Sequence, residues 1–176
     1  VYGLREFDGY KIYGSKECDN CYLSPDKDFD RFYPDVLIES EYEFAFGDFN
    51  LKLIPLPGHD HTTIMIMIND EYLFIGDDLM TTNAGEPILP AISHKHVPRH
   101  YQSLETLKEY ADLKLIPAHG LIFDNKEVTI REIKDRQIYL KNIMDSPVLL
   151  TYEEASKGCQ NNYIHSEWHA SMHRWE

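Results

Sequence analysis

The sequence has little cysteine, few positive charges and no long apolar run, and each shortage excludes a class of protein. Three cysteines in 176 residues are too few, and odd in number, for a disulfide framework, so we expect a reducing, cytoplasmic setting. No run of about 18 apolar residues occurs, and residues 1–14 lack a signal-peptide pattern, so we expect neither a membrane span nor a leader. Lys and Arg number 17 against 30 Asp and Glu, a net charge of −13, which disfavours nucleic acid and anionic membranes as partners.

The length and pattern of the sequence predict one α+β domain, because the chain is long enough for a single core and shows no internal repeat. Residues 1–145 form the predicted core, and residues 146–176 form a C-terminal helical extension opened by a capping box at Thr151 and Glu154. Short apolar runs predict strands at residues 36–46, 49–56, 62–69, 71–76 and 113–120, and longer periodic runs predict helices at residues 98–112 and 125–144.

Ligand-type side chains come directly after three of these strands. His59 follows LKLIPLPG, Asp77 and Asp78 follow EYLFIG, and His119 follows LKLIPA. Neutral imidazole is the commonest transition-metal ligand, and a carboxylate can bridge two ions. Any one of these residues alone is more often structural than a ligand. Their repetition at three strand ends, in this order, favours a metal site.

The segments around these residues resemble the later metal-binding motifs of the metallo-β-lactamase-fold hydrolases. The matching segments, in the family's order and spacing, are PGHDHTT at 57–63, FIGDD at 74–78 and IPAHG at 116–120. The resemblance covers roughly residues 1–145 and implies an αββα sandwich of the metallo-β-lactamase type, incomplete in this chain.

The same resemblance implies roles for individual residues. His59 would bind the first of two divalent metal ions, His119 the second, and Asp77 would bridge them. The ions would be zinc, with manganese or iron as alternatives. His61 stands where the family often has a small residue and is a candidate for substrate contact or acid–base chemistry, the alternative being a surface imidazole. Asp78 is expected to be a supporting or turn residue, and Asp60 a turn residue.

The family's main motif, HxHxDH, supplies four further ligands upstream of these segments and does not occur in this sequence. We therefore expect residue 1 to follow the missing motif, and the half that carries this motif would be a separate chain, cleaved off or truly absent. Without that half, we expect the strands to expose an apolar face or an edge. The expected partner is a complementary upstream polypeptide, or a second copy in an intertwined homodimer.

Other cysteines and histidines allow more than one interpretation. Cys18 and Cys21 form one CxxC without a second, which favours half-buried thiols on a helix over a metal or redox site. Three histidines beside the late loop could contact substrate, and three near the C-terminus, at helical spacing, would share one helix face at the surface or an interface: His94, His96 and His100, and His165, His169 and His173.

The function that follows is a metal-dependent hydrolase. A dinuclear centre would activate water against an ester, thioester, lactone, lactam or phosphoester of a small-molecule substrate, and the fold does not say which bond. A first alternative is a non-catalytic or truncated remnant that acts as a binding module. A second is the di-iron oxidoreductase branch of the fold, which metal identity would distinguish.

Overall fold

The structure is a computed structural model that describes residues 9–20, 34–90 and 92–171. Within these ranges it contains a two-stranded sheet and a five-stranded sheet. The strands are β1 (Tyr13–Ser15), β2 (Val36–Ile38), β3 (Tyr42–Phe46), β4 (Phe49–Pro55), β5 (Ile64–Ile68), β6 (Tyr72–Gly76) and β7 (Lys114–Pro117). The helices are α1 (Val97–Leu107), α2 (Lys126–Asp145) and α3 (Tyr152–Ala155). In the described part of the chain, no helix has the length and apolar character needed to cross a membrane.

The larger sheet has the order β3-β4-β5-β6-β7. Its first three pairings are antiparallel and β6 pairs with β7 in parallel. The antiparallel turns use positive φ at Gly47 and at Asn69 and Asp70, as tight hairpins require. The parallel step needs a crossover, which α1 provides.

The strand predicted at residues 36–46 is wrong as a single element. Val36–Ile38 pairs in parallel with β1 in the small sheet, whereas Tyr42–Phe46 pairs with β4 in the large one. Between them the chain bends at Glu39 and Ser40, both exposed. A polar pair inside an apolar run marks a bend that the period of the flanking residues does not reveal.

The two faces of the large sheet differ in what covers them. One face packs on α1 and α2 and forms the core, with Met65, Leu73, Ile75 and Leu115 almost fully buried. The opposite face is also apolar: one row across the sheet pairs Leu53 with Ile66, Ile66 with Phe74 and Phe74 with Ile116.

The small sheet covers part of this opposite face, since the Tyr13 ring stacks on Phe44 at a centroid distance of 5.0 Å. Phe74 nevertheless remains 37% exposed. A hollow of about 390 Å³, lined by residues that include Leu51 and Ile66, lies on the same face. Among the described residues, an apolar sheet face is thus only partly covered.

Helix α2 anchors the chain that follows β6. The Arg136 guanidinium is buried, donates to Glu132 Oε2 at 3.0 Å and reaches the Met80 carbonyl at 2.7 Å. A buried guanidinium is tolerated only when its donors are satisfied in this way. The bond to Met80 fixes the segment directly after Asp77 and Asp78.

The C-terminal segment folds back on α2. The predicted capping box is present at Thr151 and Glu154. His169 is buried, with Nδ1 2.7 Å from the Tyr139 hydroxyl and Nε2 2.7 Å from the Leu150 carbonyl. These contacts place the 3-10 helix Ser166–Ser171 against the core.

Candidate metal centre

The topology brings three ligand-type residues to one edge of the large sheet. β4 and β6 both run antiparallel to β5, and β7 runs parallel to β6. The carboxyl ends of β4, β6 and β7 therefore share one edge. His59, Asp77 and His119 each follow one of these ends, so the sheet places the predicted metal ligands together.

The distances show a partly assembled site. His119 Nε2 lies 3.6 Å from Asp77 Oδ1, and His59 and His119 line the same cavity, of about 520 Å³. His59 Nδ1 and Asp77 Oδ1 are buried and have no hydrogen-bond partner, which is unusual for buried polar atoms. These side chains fit part of a metal site. Within residues 9–20, 34–90 and 92–171, however, no three His, Cys, Asp or Glu side chains form a group that could hold a metal ion.

Two glycines beside the histidines are needed for space. A Cβ on Gly58 would collide with Ser103 Oγ and Asp78 Oδ1. Gly120 has a φ of +95°, and a Cβ there would collide with the Thr81 backbone. Each histidine thus lies next to a position where neighbouring atoms approach the main chain too closely for any side chain.

His59 is held from behind by buried polar groups. Its backbone N–H donates to Asp78 Oδ1 at 3.4 Å, and the Ser103 hydroxyl donates to the same oxygen at 2.9 Å. Burial, and then the nearby His100, lowers the pKa of His59, while Asp77 and Asp78 act in the opposite direction. The neutral imidazole, which is the form that binds metal, is favoured.

His61 lies apart from this cavity, whose lining residues do not include it. Its Nδ1 is 3.6 Å from Asp60 Oδ1, and its side chain is 41% exposed. Asp60 Oδ1 accepts hydrogen bonds from the Thr62 N–H at 2.8 Å and the Thr62 hydroxyl at 2.6 Å, which is the turn chemistry expected of it. A catalytic role for His61 stays a prediction.

The interpretation that His100 could contact substrate is wrong. His100 lies within α1 and is fully buried, with Nδ1 3.2 Å from Asp78 Oδ1. Sequence reasoning missed this cluster of Asp78, His100 and Ser103. A signal was available, because His100 and Ser103 share the helical spacing of the buried Leu104 and Leu107. His94 and His96 form a half-buried 3-10 turn before the helix.

The C-terminal histidines do not share one helix face. His165 has a φ of 60° and stacks on the Trp168 ring at 4.3 Å, outside the 3-10 helix, whereas His169 is bonded in the interior. The short 3-10 helix breaks the assumed α-helical spacing. His173 and Cys21 lie outside the described residues, and Cys18 is half-buried as a free thiol.

Comparison with known proteins identifies the fold. No family model matches the sequence, and no curated protein matches it. A metallo-β-lactamase from Staphylococcus aureus subsp. aureus COL is similar with 18% identity and a TM-score of 0.53, over 90% of this chain and 52% of that one. ETHE1 from Myxococcus xanthus is similar with 16% identity and a TM-score of 0.53, over 84% of this chain and 63% of that one.

These likenesses show a metallo-β-lactamase fold, and they confirm the predicted fold class. The chain spans about half the length of the Staphylococcus protein. The sheet with helices on one face, together with its partly covered opposite face, corresponds to part of a mixed α+β domain of this type.

Proposed function

We propose that this chain carries part of the dinuclear metal site of a metal-dependent hydrolase. The observation that carries the proposal is the convergence of His59, Asp77 and His119 at one sheet edge, with buried atoms of His59 and Asp77 lacking hydrogen-bond partners. His59 would hold one divalent ion, His119 the other, and Asp77 would bridge them. Zinc suits this mixed nitrogen and oxygen donor set, as do manganese and iron.

The metal ions, when bound, would acidify a shared water and polarise the bond that it attacks. The chain's own residues bind and orient. The neutral imidazole of His59 offers a lone pair without first losing a proton, and Asp77 stands 3.6 Å from His119 Nε2. Gly58 and Gly120 let the main chain approach its neighbours closely enough to hold this arrangement.

The cavity beside the histidines offers both neutral polar and apolar surface to a substrate. Its described lining includes Thr81, Thr82 and Asn83 as neutral hydrogen-bonding groups, and Ile88 and Trp168 as apolar walls. The proposed substrate is an ester, thioester, lactone, lactam or phosphoester of a small molecule.

The ligands still required would come from a complementary polypeptide of the same fold, or from a second copy of this chain. The partly covered apolar sheet face supports this proposal. Leu51, Ile66 and Phe74 on that face present apolar surface of the kind that packs against a second layer.

A second candidate is a non-catalytic binding module that keeps the scaffold without a complete metal centre. The observation that favours it is the lack, among the described residues, of any three side chains grouped for metal binding. A third candidate is the di-iron oxidoreductase branch of the fold, and retention of iron by the protein would indicate it.

The decisive experiment is metal content per chain, by elemental analysis of gently purified protein. About two equivalents of zinc, manganese or iron are expected if the remaining ligands are supplied. Asp77→Asn and His59→Gln should lose most of this metal while their circular dichroism stays unchanged. Asp60→Asn, which removes a charge next to His59 but keeps a hydrogen-bond acceptor for the turn, should retain the metal.

Two results would contradict the proposal in different ways. Near-zero metal in the unaltered chain would favour the binding module. Full metal in both Asp77→Asn and His59→Gln would show that these residues are not the ligands.

A further inference from the structure

The cavity that His59 and His119 line has a wall that comes from a distant part of the chain. Trp168, in the 3-10 helix Ser166–Ser171, contributes an indole ring to this wall, and Ile88 contributes an apolar side chain. The cavity has a volume of about 520 Å³, which lies in the range of pockets that hold small molecules. Metal binding alone gives this apolar wall no role.

Main-chain hydrogen bonds hold the two parts of the wall together. The Ile164 N–H donates to the Pro87 carbonyl at 3.0 Å, and the Leu89 N–H donates to the Ile164 carbonyl at 3.2 Å. Ile88 and Ile164 thereby pair as a parallel bridge. Since Trp168 follows Ile164 closely along the chain, these bonds bring the segment that carries Trp168 to the segment that carries Ile88.

The residues on either side of Trp168 fix its position. The Trp168 backbone N–H donates to the His165 carbonyl at 2.9 Å, and the two rings stack at a centroid distance of 4.3 Å and an interplanar angle of 9°. The next residue, His169, lies 2.7 Å from both the Tyr139 hydroxyl and the Leu150 carbonyl. A side chain that is already held loses little further conformational entropy when a ligand binds. The indole is therefore a preorganised surface.

The indole does more than fill the core. Trp168 packs against the core but is only half-buried, and part of its surface lines the cavity. His165 is not among the described lining residues of the cavity, so its stack on the indole lies outside. Met80 also lines the cavity but is only 7% exposed. The largest apolar surface that the described residues offer to a ligand is therefore that of the indole.

We propose that Trp168 is a specificity-determining residue that receives, together with Ile88, an apolar aryl or alkyl group of the substrate. Thr82 and Asn83 line the same cavity and offer hydrogen bonds to the polar part of the same molecule. The proposal rests on the proposed function for the reaction at the metal site, whereas the binding of the apolar group does not depend on that reaction.

The first test measures binding without any reaction. ¹H–¹⁵N correlation spectra of the full chain, without added metal, are recorded while benzyl alcohol, a neutral aryl probe, is added. The indole N–H signal of Trp168, identified by its loss in Trp168→Phe, should shift and reach saturation in the millimolar range expected for a ligand of this size. A Trp168 signal that does not move up to the solubility limit of the probe would overturn the proposal.

A matched pair of substitutions locates the probe. Ile88→Thr makes the wall of the cavity more polar, and Ile64→Thr makes the same change in the hollow on the partly covered sheet face. Both variants keep a β-branched side chain. Read from the Trp168 signal, Ile88→Thr should weaken the binding of benzyl alcohol about 4-fold or more, the value of one buried methylene group, and Ile64→Thr should leave it unchanged. Equal affinities in Ile88→Thr and the unaltered chain would contradict the proposed contact.

The third test measures specificity in the metal-loaded protein through the release of acid from two esters. Methyl phenylacetate carries an aryl group, and methyl acetate lacks it. The ratio of their kcat/KM values should fall about 10-fold or more in Trp168→Ala, as loss of an apolar contact in a pocket does, and should stay close to that of the unaltered chain in Trp168→Phe. An unchanged ratio in Trp168→Ala would overturn the proposal while leaving the proposed function intact.

The two proposals can fail separately. If benzyl alcohol binds saturably at Trp168, and Ile88→Thr weakens this binding, but the chain retains no metal, the apolar binding site stands and the proposed function fails.

Discussion

His59 and His119 each lie in a turn that directly follows a strand, and these turns are called the His59 corner and the His119 corner. The two corners lie at the same sheet edge but are built differently. Buried side chains lie behind His59. Asp78 accepts a hydrogen bond from the His59 backbone N–H, and the Ser103 hydroxyl donates to Asp78. Both side chains also lie against the adjacent Gly58. His119 has a side chain that is 66% exposed. Its main chain is held by the Thr81 N–H, which donates to the His119 carbonyl at 3.3 Å.

The difference indicates what each corner needs from outside. The imidazole of His59 is enclosed by the fold itself, whereas that of His119 is mostly exposed and contacts Asp77 at 3.6 Å, so we expect a bound ion or an additional polypeptide to hold it. Chain entropy supports this view, since an exposed ring retains its rotamers and a buried one has already lost them. The predictions below test how far the two corners differ.

The largest effects are expected at the glycines beside the two histidines. Gly58→Ala forces a Cβ into Ser103 and Asp78, and Gly120→Ala adds a positive φ to a collision with the Thr81 backbone. We expect losses in the free energy of unfolding of about 2 to 5 kcal/mol from overpacking and strain. Urea unfolding followed by circular dichroism measures them.

The matched control is Gly47→Ala. Gly47 has a φ of +59° in open space, so only the backbone strain of about 1 to 2 kcal/mol applies. Equal losses in Gly120→Ala and Gly47→Ala would show that close packing beside His119 contributes nothing beyond the strain of the left-handed conformation. Gly58 lacks that conformation, so an unchanged free energy of unfolding in Gly58→Ala would show the same for close packing beside His59.

A smaller contrast is expected between the histidines that serve the two corners. His100→Ala leaves a buried space and removes a partner of Asp78, and should lower the free energy of unfolding by about 2 to 4 kcal/mol. His119→Ala removes an exposed ring and should change it by no more than about 0.5 kcal/mol. Thermal unfolding of both metal-free variants measures this contrast. A loss of free energy of unfolding in His119→Ala as large as that in His100→Ala would mean that the His119 ring contributes as much to stability as the buried ring of His100.

The same contrast explains what could be predicted from the sequence. His59, Asp77 and His119 were identifiable because apolar runs mark strand ends, and strands of the same direction bring their ends to one edge. The helix that contains His100 was predicted, but its burial was not, because hydrophobic periodicity counts apolar residues and gives no weight to a polar residue on the buried face of α1.

Elements joined through distant contacts were also harder to predict. The change of sheet between Ile38 and Tyr42 depends on pairing with β1, which no local pattern encodes. The burial of His169 depends on Tyr139 and Leu150, distant along the chain. In both cases the structure depends on tertiary contacts, which the spacing of residues along the sequence does not predict.

The smallest expected difference concerns the two hydroxyls that support the corners. The Ser103 hydroxyl donates to a buried carboxylate, so Ser103→Ala should cost about 1.5 to 3 kcal/mol in the free energy of unfolding. The Thr81 hydroxyl accepts from the Leu121 N–H at 3.0 Å, a neutral bond whose loss in Thr81→Val should cost about 0.5 to 1.5 kcal/mol. Thr81→Ser keeps the hydroxyl and serves as the control. If urea unfolding reversed this order, the buried cluster behind His59 would not be the stronger of the two supports, because the bond beside His119 would then contribute more to the free energy of unfolding.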